Sequence, residues 1–117
     1  MIYTTYFGNY RKFPNDALPL GVTRFKPSYW EYPNIENLAP SENLLRQFKD
    51  KTIDEYVFGQ KYLNELSERG LTPHGVRSIL ESVANGRDIL LCCYERPGEF
   101  CHRHLLANWL GNDIDEL

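Results

Sequence analysis

The sequence predicts an α/β fold: a small Rossmann-like layered domain with a short, mostly parallel sheet flanked by helices. Three observations predict it. The run Asp88-Ile89-Leu90-Leu91-Cys92-Cys93-Tyr94 is continuously apolar or thiol-bearing and follows a helix and a glycine turn, the pattern of a central parallel strand covered on both faces. A second β-branched and aromatic run, Ile2–Phe7, opens the chain. Between and after them lie stretches whose apolar residues recur at helical spacing, so the order is strand, strand, three helices, strand, helix.

The first strand is expected over Ile2–Phe7, ended by Gly8-Asn9. Residues 8–20 carry Pro14, Asn15, Asp16 and Pro19 and read as a loop. Gly21-Val22-Thr23-Arg24-Phe25 reads as a second strand that stops before Pro27. From Lys26 to Pro40 the chain is rich in Pro, Asn and aromatics, an ordered loop long enough to carry function. Ser41 then caps a helix to about Lys49, with Leu44, Leu45 and Phe48 inward. Thr52-Ile53-Asp54-Glu55 has the form of a capping box for a helix carrying Tyr56, Tyr62, Leu63 and Leu66, closed by Gly70. Thr72-Pro73 opens a third, with Val76, Ile79, Leu80 and Val83 as its apolar stripe and Asn85-Gly86 as its stop. The last helix starts near Cys101 with Leu105, Leu106, Trp109 and Leu110 on one side, and the acidic segment Asp113–Leu117 is expected to fray.

A chain of 117 residues fits one domain spanning residues 1–117 and can bury a core without staples. With 42% hydrophobic and 25% charged residues the composition is that of an ordinary globular protein; eight Tyr, six Phe and two Trp make it aromatic. The net charge of −3 argues against general nucleic-acid binding driven by phosphate neutralisation. No apolar run approaches membrane-spanning length and the first residues lack a signal pattern, so a cytoplasmic location without a membrane partner is expected. Three cysteines, an odd number with two adjacent, fit reduced thiols better than a disulfide framework.

Reactive residues concentrate where the central strand meets the last helix. Ligands of open parallel sheets collect at the carboxyl ends of strands. Here that place holds Tyr94 and Glu95, a Pro-Gly insert, then Cys101-His102-Arg103. A helix start offers free N–H donors to anions, Arg103 adds a bidentate fork, and His102 can transfer a proton near neutral pH. Strand alternation sends Cys92 and Cys93 to opposite faces, with Cys92 read as core and Cys93 nearer the site. Cys101 and His102, as neighbours on a helix, do not face one another, which leaves Cys93 with His102 as the thiol–imidazole pair. A zinc knuckle would need C-x-x-C pairs, which are absent, so neither a metal nor a cofactor is expected. A phosphatase loop fails by count, since the sixth residue after Cys93 is Glu99 rather than arginine.

The run Leu90-Leu91-Cys92-Cys93-Tyr94-Glu95, followed after a short insert by Cys101-His102-Arg103-His104-Leu105-Leu106-Ala107, closely resembles the hallmark of the domain-of-unknown-function-488 (DUF488) family of bacteria, archaea and phages. The resemblance covers nearly the whole chain: Met1–Tyr6, Val22–Pro27, Leu38-Ala39-Pro40-Ser41 with Leu44-Leu45, and Asp54-Glu55-Tyr56 also match in outline. It implies a compact Rossmann-like domain with no agreed activity. The shared polar positions it implies are Arg24, Ser41, Cys93, Glu95, Cys101, His102 and Arg103. Longer relatives extend past the final helix, which implies a sheet edge or pocket wall completed by a second subunit, as in a homodimer.

The leading functional expectation is binding of a nucleotide or nucleotide-derived anion. Arg24, Arg103 and the helix N-terminus would hold the phosphate, Tyr and Trp30 of the loop Tyr29–Tyr32 would stack on its ring, and Ser41, Tyr94, Cys101 and His102 complete the expected ligand-binding set. The alternative is an enzyme acting on a nucleotide or nucleic-acid base with Cys93, Glu95 and His102 as catalytic groups. A protein-interaction module using the aromatic loop and acidic end is the third.

Overall fold

A computed structural model describes residues 1–96 and 98–117. Four strands, β1 (Ile2–Tyr6), β2 (Leu18–Gly21), β3 (Ile89–Cys93) and β4 (Asp115–Glu116), form one sheet in the order β2-β3-β1-β4, and every pairing is parallel. Tyr6 is in register with Cys93 and Gly21 with Cys92, so the three longer strands end together along one edge. The expected α/β class and parallel sheet are those observed.

The helices are α1 (Glu42–Lys49), α2 (Glu55–Glu68), α3 (Pro73–Ala84) and α4 (His102–Leu110). Alternate residues of the sheet feed two cores. Ile2, Leu20, Ile89, Leu91 and Cys93 pack with Leu44, Phe58, Tyr62, Leu66, Val76, Leu80, Leu106 and Leu110 of the helices. On the other face Leu90 and Cys92 pack with Phe7 and Trp30, supplied by a 3-10 helix (Phe7–Lys12) and the aromatic loop. Burial on both faces is why β3 reads as an unbroken apolar run.

Local structure departs from the sequence expectation at several points. The second strand lies at Leu18-Pro19-Leu20-Gly21 rather than Gly21–Phe25. Being at the sheet edge, it can tolerate Pro19, whose missing N–H takes no ladder bond there. The ladder continues only as far as Val22 N–H, which donates to Cys92 O at 2.9 Å. Helix α2 is capped by Asp54, which accepts from Val57 N–H at 2.8 Å, while Thr52 Oγ1 donates to Gln47 O at 2.9 Å and belongs to the exit of α1. Tyr56, Ile79 and Val83, expected inside, are 73%, 63% and 55% exposed, and Phe58 and Ala84 take the buried positions. The final acidic residues do not fray. Asp115–Glu116 pair with Tyr3 and Thr4 of β1, and Arg77 clasps Asp113 at 2.7 Å through Nη1. Asp115 and Glu116 thus cover the edge of β1 at Tyr3 and Thr4.

Candidate functional site

The common carboxyl edge of β1, β2 and β3 carries the 3-10 helix, the loop from Val22 to Ser41, and the turn from Tyr94 to Cys101. The turn delivers the start of α4 beside the end of β3. Cys101 is the N-cap of α4, with extended backbone (φ −150°, ψ 143°). Its side chain is therefore not bound by helical geometry, and Cys101 Sγ comes within 3.9 Å of His102 Nδ1. The expectation that these neighbours cannot face one another is corrected by that cap. Cys93 Sγ, Cys101 Sγ and His102 Nδ1 all lie within 4.8 Å of one another, so the Cys93–His102 convergence is present with Cys101 as a third member.

Cys93 Sγ and Cys101 Sγ meet directly across the turn. Their Cα atoms stand 7.6 Å apart. Cys92 is a free thiol, wholly buried in the opposite core, and burial pushes its pKa up to about 12. It packs in the core on the face opposite Cys93, as strand alternation requires.

His102 is buried against Tyr62, whose ring meets it edge-on at 5.7 Å. Its Nε2 lies 2.5 Å from Val22 O. A carbonyl only accepts, so this contact assigns the proton to Nε2 and leaves Nδ1 as a bare lone pair facing the sulfurs. Burial pushes the imidazole pKa down to about 4, so the ring is neutral at neutral pH.

Arg103 is completely buried. In place of an open fork for a ligand, its guanidinium is turned inward. Nε and Nη2 donate to Glu116 at 3.3 and 2.8 Å, and Nη1 donates to Glu95 O and, at 3.0 Å, to Cys93 Sγ. Thr4 Oγ1 also donates to Glu116, at 2.6 Å. Glu116 therefore stands where an anion on Arg103 would stand. The half-buried Glu95 side chain places Oε2 3.5 Å from Cys93 Sγ.

The other predicted site residues divide between structure and surface. Ser41 accepts from Leu44 N–H at 3.1 Å as the cap of α1, and its hydroxyl donates to Glu65. The whole Leu38–Ser41 segment is fastened to α2: Tyr62 OH donates to Leu38 O, Arg69 to Ala39 O, and Ser41 N–H to Glu65. Trp30 is buried, with Nε1 donating to Pro33 O at 3.2 Å and its ring 4.6 Å from that of Phe7, so it is a core residue and not an open stacking face. Arg24 donates to Pro40 O at 3.3 Å through Nη2 and faces Glu36 at 3.8 Å. Tyr94 is half exposed; its hydroxyl donates to Phe25 O at 2.7 Å and its ring stands 5.0 Å from Phe7.

An open cleft of about 420 Å³ is lined by Arg24, Phe25, Lys26, Asn34 and Glu36. Phe25 within it is 62% exposed, and Tyr29 and Tyr10 form an exposed tilted pair nearby in the chain at 5.8 Å. Phe25, Lys26 and Glu36, like Glu116, Val22 O and Glu65, lay outside the sequence reading of the site. Phe25 and Lys26 had one signal, their adjacency to Arg24.

The fold and the site define a class: a parallel α/β domain in which a strand end and a helix start bring two sulfurs, a neutral imidazole and a buried guanidinium together beside an open cationic cleft. The particular family follows from comparison of the whole sequence. The chain belongs to the DUF488 family, residues 2–113 matching the family model described as DUF488-N3a, "Active DUF488-N3 subclade". Comparison with curated proteins and with solved structures finds no match. Among the described residues no helix is long and apolar enough to cross a membrane.

Proposed function

We propose that this protein binds a nucleotide or nucleotide-derived anion at the carboxyl edge of its sheet, between the loop carrying Arg24 and the turn carrying Tyr94. The observation that carries the reading is the cleft itself: one loop sets two cations, Arg24 and Lys26, and the exposed ring of Phe25 around an open volume of about 420 Å³. A large aromatic gains by burial, and leaving one open beside two positive charges suits a ligand with a planar ring and a phosphate. The phosphate lies against Arg24 and Lys26, and the ring against Phe25. Glu36 accepts from ribose hydroxyls or an exocyclic amine. Arg103, saturated by Glu116, supports the wall of the site from within and does not contact the ligand.

Calorimetric titration with a panel of purine and pyrimidine mono- and dinucleotides, with inorganic phosphate as the control, tests the reading. One-site binding should weaken at least about tenfold in Arg24→Ala, the loss expected for one charge-assisted hydrogen bond. No binding across the panel, or binding indifferent to both Arg24→Ala and Phe25→Ala, refutes it.

A second reading, an enzyme acting on a nucleotide or nucleic-acid base, is supported by a separate observation. Cys93, Cys101, His102 and Glu95 converge beside that cleft, and the matching family model is described as active. In this reading Cys93, once reduced, is the nucleophile, its thiolate stabilised by Arg103 Nη1 at 3.0 Å, and Glu95 or the bare Nδ1 of His102 moves the proton. After reduction, Cys93 should react with a thiol probe well below the ordinary thiol pKa of about 8.5. Ordinary titration of the reactive thiols would remove the nucleophile.

A further inference from the structure

Two contacts in the cluster around Cys93 have about the length of the edges of a coordination tetrahedron. A zinc ion with Zn–S near ~2.3 Å and Zn–N or Zn–O near ~2.0–2.2 Å holds its donors about 3.3–3.8 Å apart. Cys101 Sγ and His102 Nδ1 are 3.9 Å apart, and Cys93 Sγ and Glu95 Oε2 are 3.5 Å apart. The sulfur–sulfur edge must open. The backbone leaves room for that, because the Cα separation of 7.6 Å exceeds the ~4.4–6.8 Å that a bridged pair spans.

The surroundings suit a cation. Val22 O holds the Nε2 proton of His102, the arrangement in which a ligating histidine is oriented by a backbone carbonyl and offers its other nitrogen. Arg103 Nη1 donates to Cys93 Sγ, which favours the thiolate form, and the charge of Arg103 is itself balanced by Glu116. Two thiolates then neutralise one divalent ion. All three donors are buried, which keeps water from competing for them. Mixed sulfur and imidazole donors select zinc-like cations over magnesium or calcium.

We propose that, with its sulfurs reduced, the protein binds one zinc-like divalent cation through Cys93 Sγ, Cys101 Sγ and His102 Nδ1, its fourth position facing Glu95. A disulfide between the same two sulfurs is the competing state, and it requires the Cα atoms to close up from 7.6 Å. A trialkylphosphine attacks one sulfur, the S–S bond breaks, and water gives its oxygen to phosphorus, leaving a phosphine oxide and two thiols. Binding the cation then releases the two thiol protons to solvent. The proposal is independent of the nucleotide reading, since it concerns the inner face of the site.

The test is an anaerobic titration of the phosphine-reduced full chain with Co²⁺. One equivalent should produce thiolate-to-cobalt charge transfer and tetrahedral visible bands, both displaced by Zn²⁺. Cys93→Ser and His102→Gln should each weaken binding at least about tenfold, in line with losses reported even for outer-sphere partners. Cys92→Ala, on the opposite face, should leave the spectrum intact. Because a site variant can fail to fold, the wild type supplies a second measurement: Zn²⁺ should slow alkylation of Cys93 and Cys101, mapped by peptide mass. Reduced wild type without charge transfer, a spectrum that survives Cys93→Ser, or alkylation of Cys93 and Cys101 unchanged by Zn²⁺ overturns the proposal.

Discussion

Replacing Glu116 by alanine tests whether the last strand locks the site from within. Glu116 accepts from Arg103 twice, at 3.3 and 2.8 Å, and from Thr4 at 2.6 Å, and the arginine side chain is 0% exposed while the glutamate is 25% exposed. Removing one member of a fully buried ion pair costs about 3–5 kcal/mol, because the remaining charge has neither partner nor water. The partial exposure of Glu116 lets water reach the vacated space, so the loss should sit near the lower end, about 3 kcal/mol. With a urea dependence of ~1.5 kcal/mol per molar, the unfolding midpoint should fall by about 2 M. Glu116→Gln keeps an acceptor oxygen and loses the charge, so its cost should be about half as large. The double variant Arg103→Met, Glu116→Leu removes both charges and should be more stable than Glu116→Ala alone. A loss under ~1 kcal/mol for Glu116→Ala, the worth of a surface pair, would refute the reasoning.

Three further outcomes follow from the same structure. Ser41→Ala removes the cap of α1 and a partner of Glu65, and should cost about 1–2 kcal/mol in urea unfolding. Tyr62→Phe deletes a buried donor to Leu38 O, 2.6 Å away, leaving that carbonyl unsatisfied; a loss of about 1–3 kcal/mol is expected, and thermal unfolding of the two proteins compares them. Arg77 holds the Asp113 carboxyl down to about 2 from 3.8, so this contact favours the folded state above pH 3.8 and its contribution is lost as pH falls through 2. Carboxyl NMR titration should place the Asp113 midpoint near 2 in the wild type and return it toward 3.8 in Arg77→Ala.

What was legible in the sequence follows from how each element is stabilised. β3 is buried on both faces, so its identity is written in consecutive residues, Ile89 to Cys93. Ser41, Thr72 and Pro73 mark helix starts by local chemistry alone and are where expected. β2 was misplaced because Val22-Thr23-Arg24-Phe25 has the better strand composition, whereas Leu18–Gly21 is a strand only through its pairing with β3. Asp54 displaced Thr52 as the cap because Thr52 serves the preceding helix, a choice the local motif does not encode. β4 was invisible for the same reason as β2. A short acidic stretch becomes a strand through its pairing with Tyr3 and Thr4, with Glu116 held by the buried Arg103. The cluster of Cys93, Glu95, Cys101, His102 and Arg103 was legible as residues, but not its internal economy: which donors are spent and which face outward depends on contacts across the sheet.

Those contacts also tie the outer cleft to the inner cluster. Val22 O takes the His102 proton, Phe25 O takes the Tyr94 hydroxyl, and Arg24 between them grips Pro40 O. One four-residue segment therefore forms the wall of the cleft on one side and orients the imidazole on the other. A ligand that draws Arg24 off Pro40 pulls on the same backbone that holds the Nε2 proton of His102. Such a pull changes the inner site only if the segment has two arrangements with different affinities for what the inner site holds, and the effect must then be mutual. Cobalt affinity measured with and without saturating nucleotide reads that coupling directly. Equal affinities would mean that the segment is a rigid wall and that cleft and cluster act separately. A difference would make the cleft the port through which ligand binding reaches the thiols.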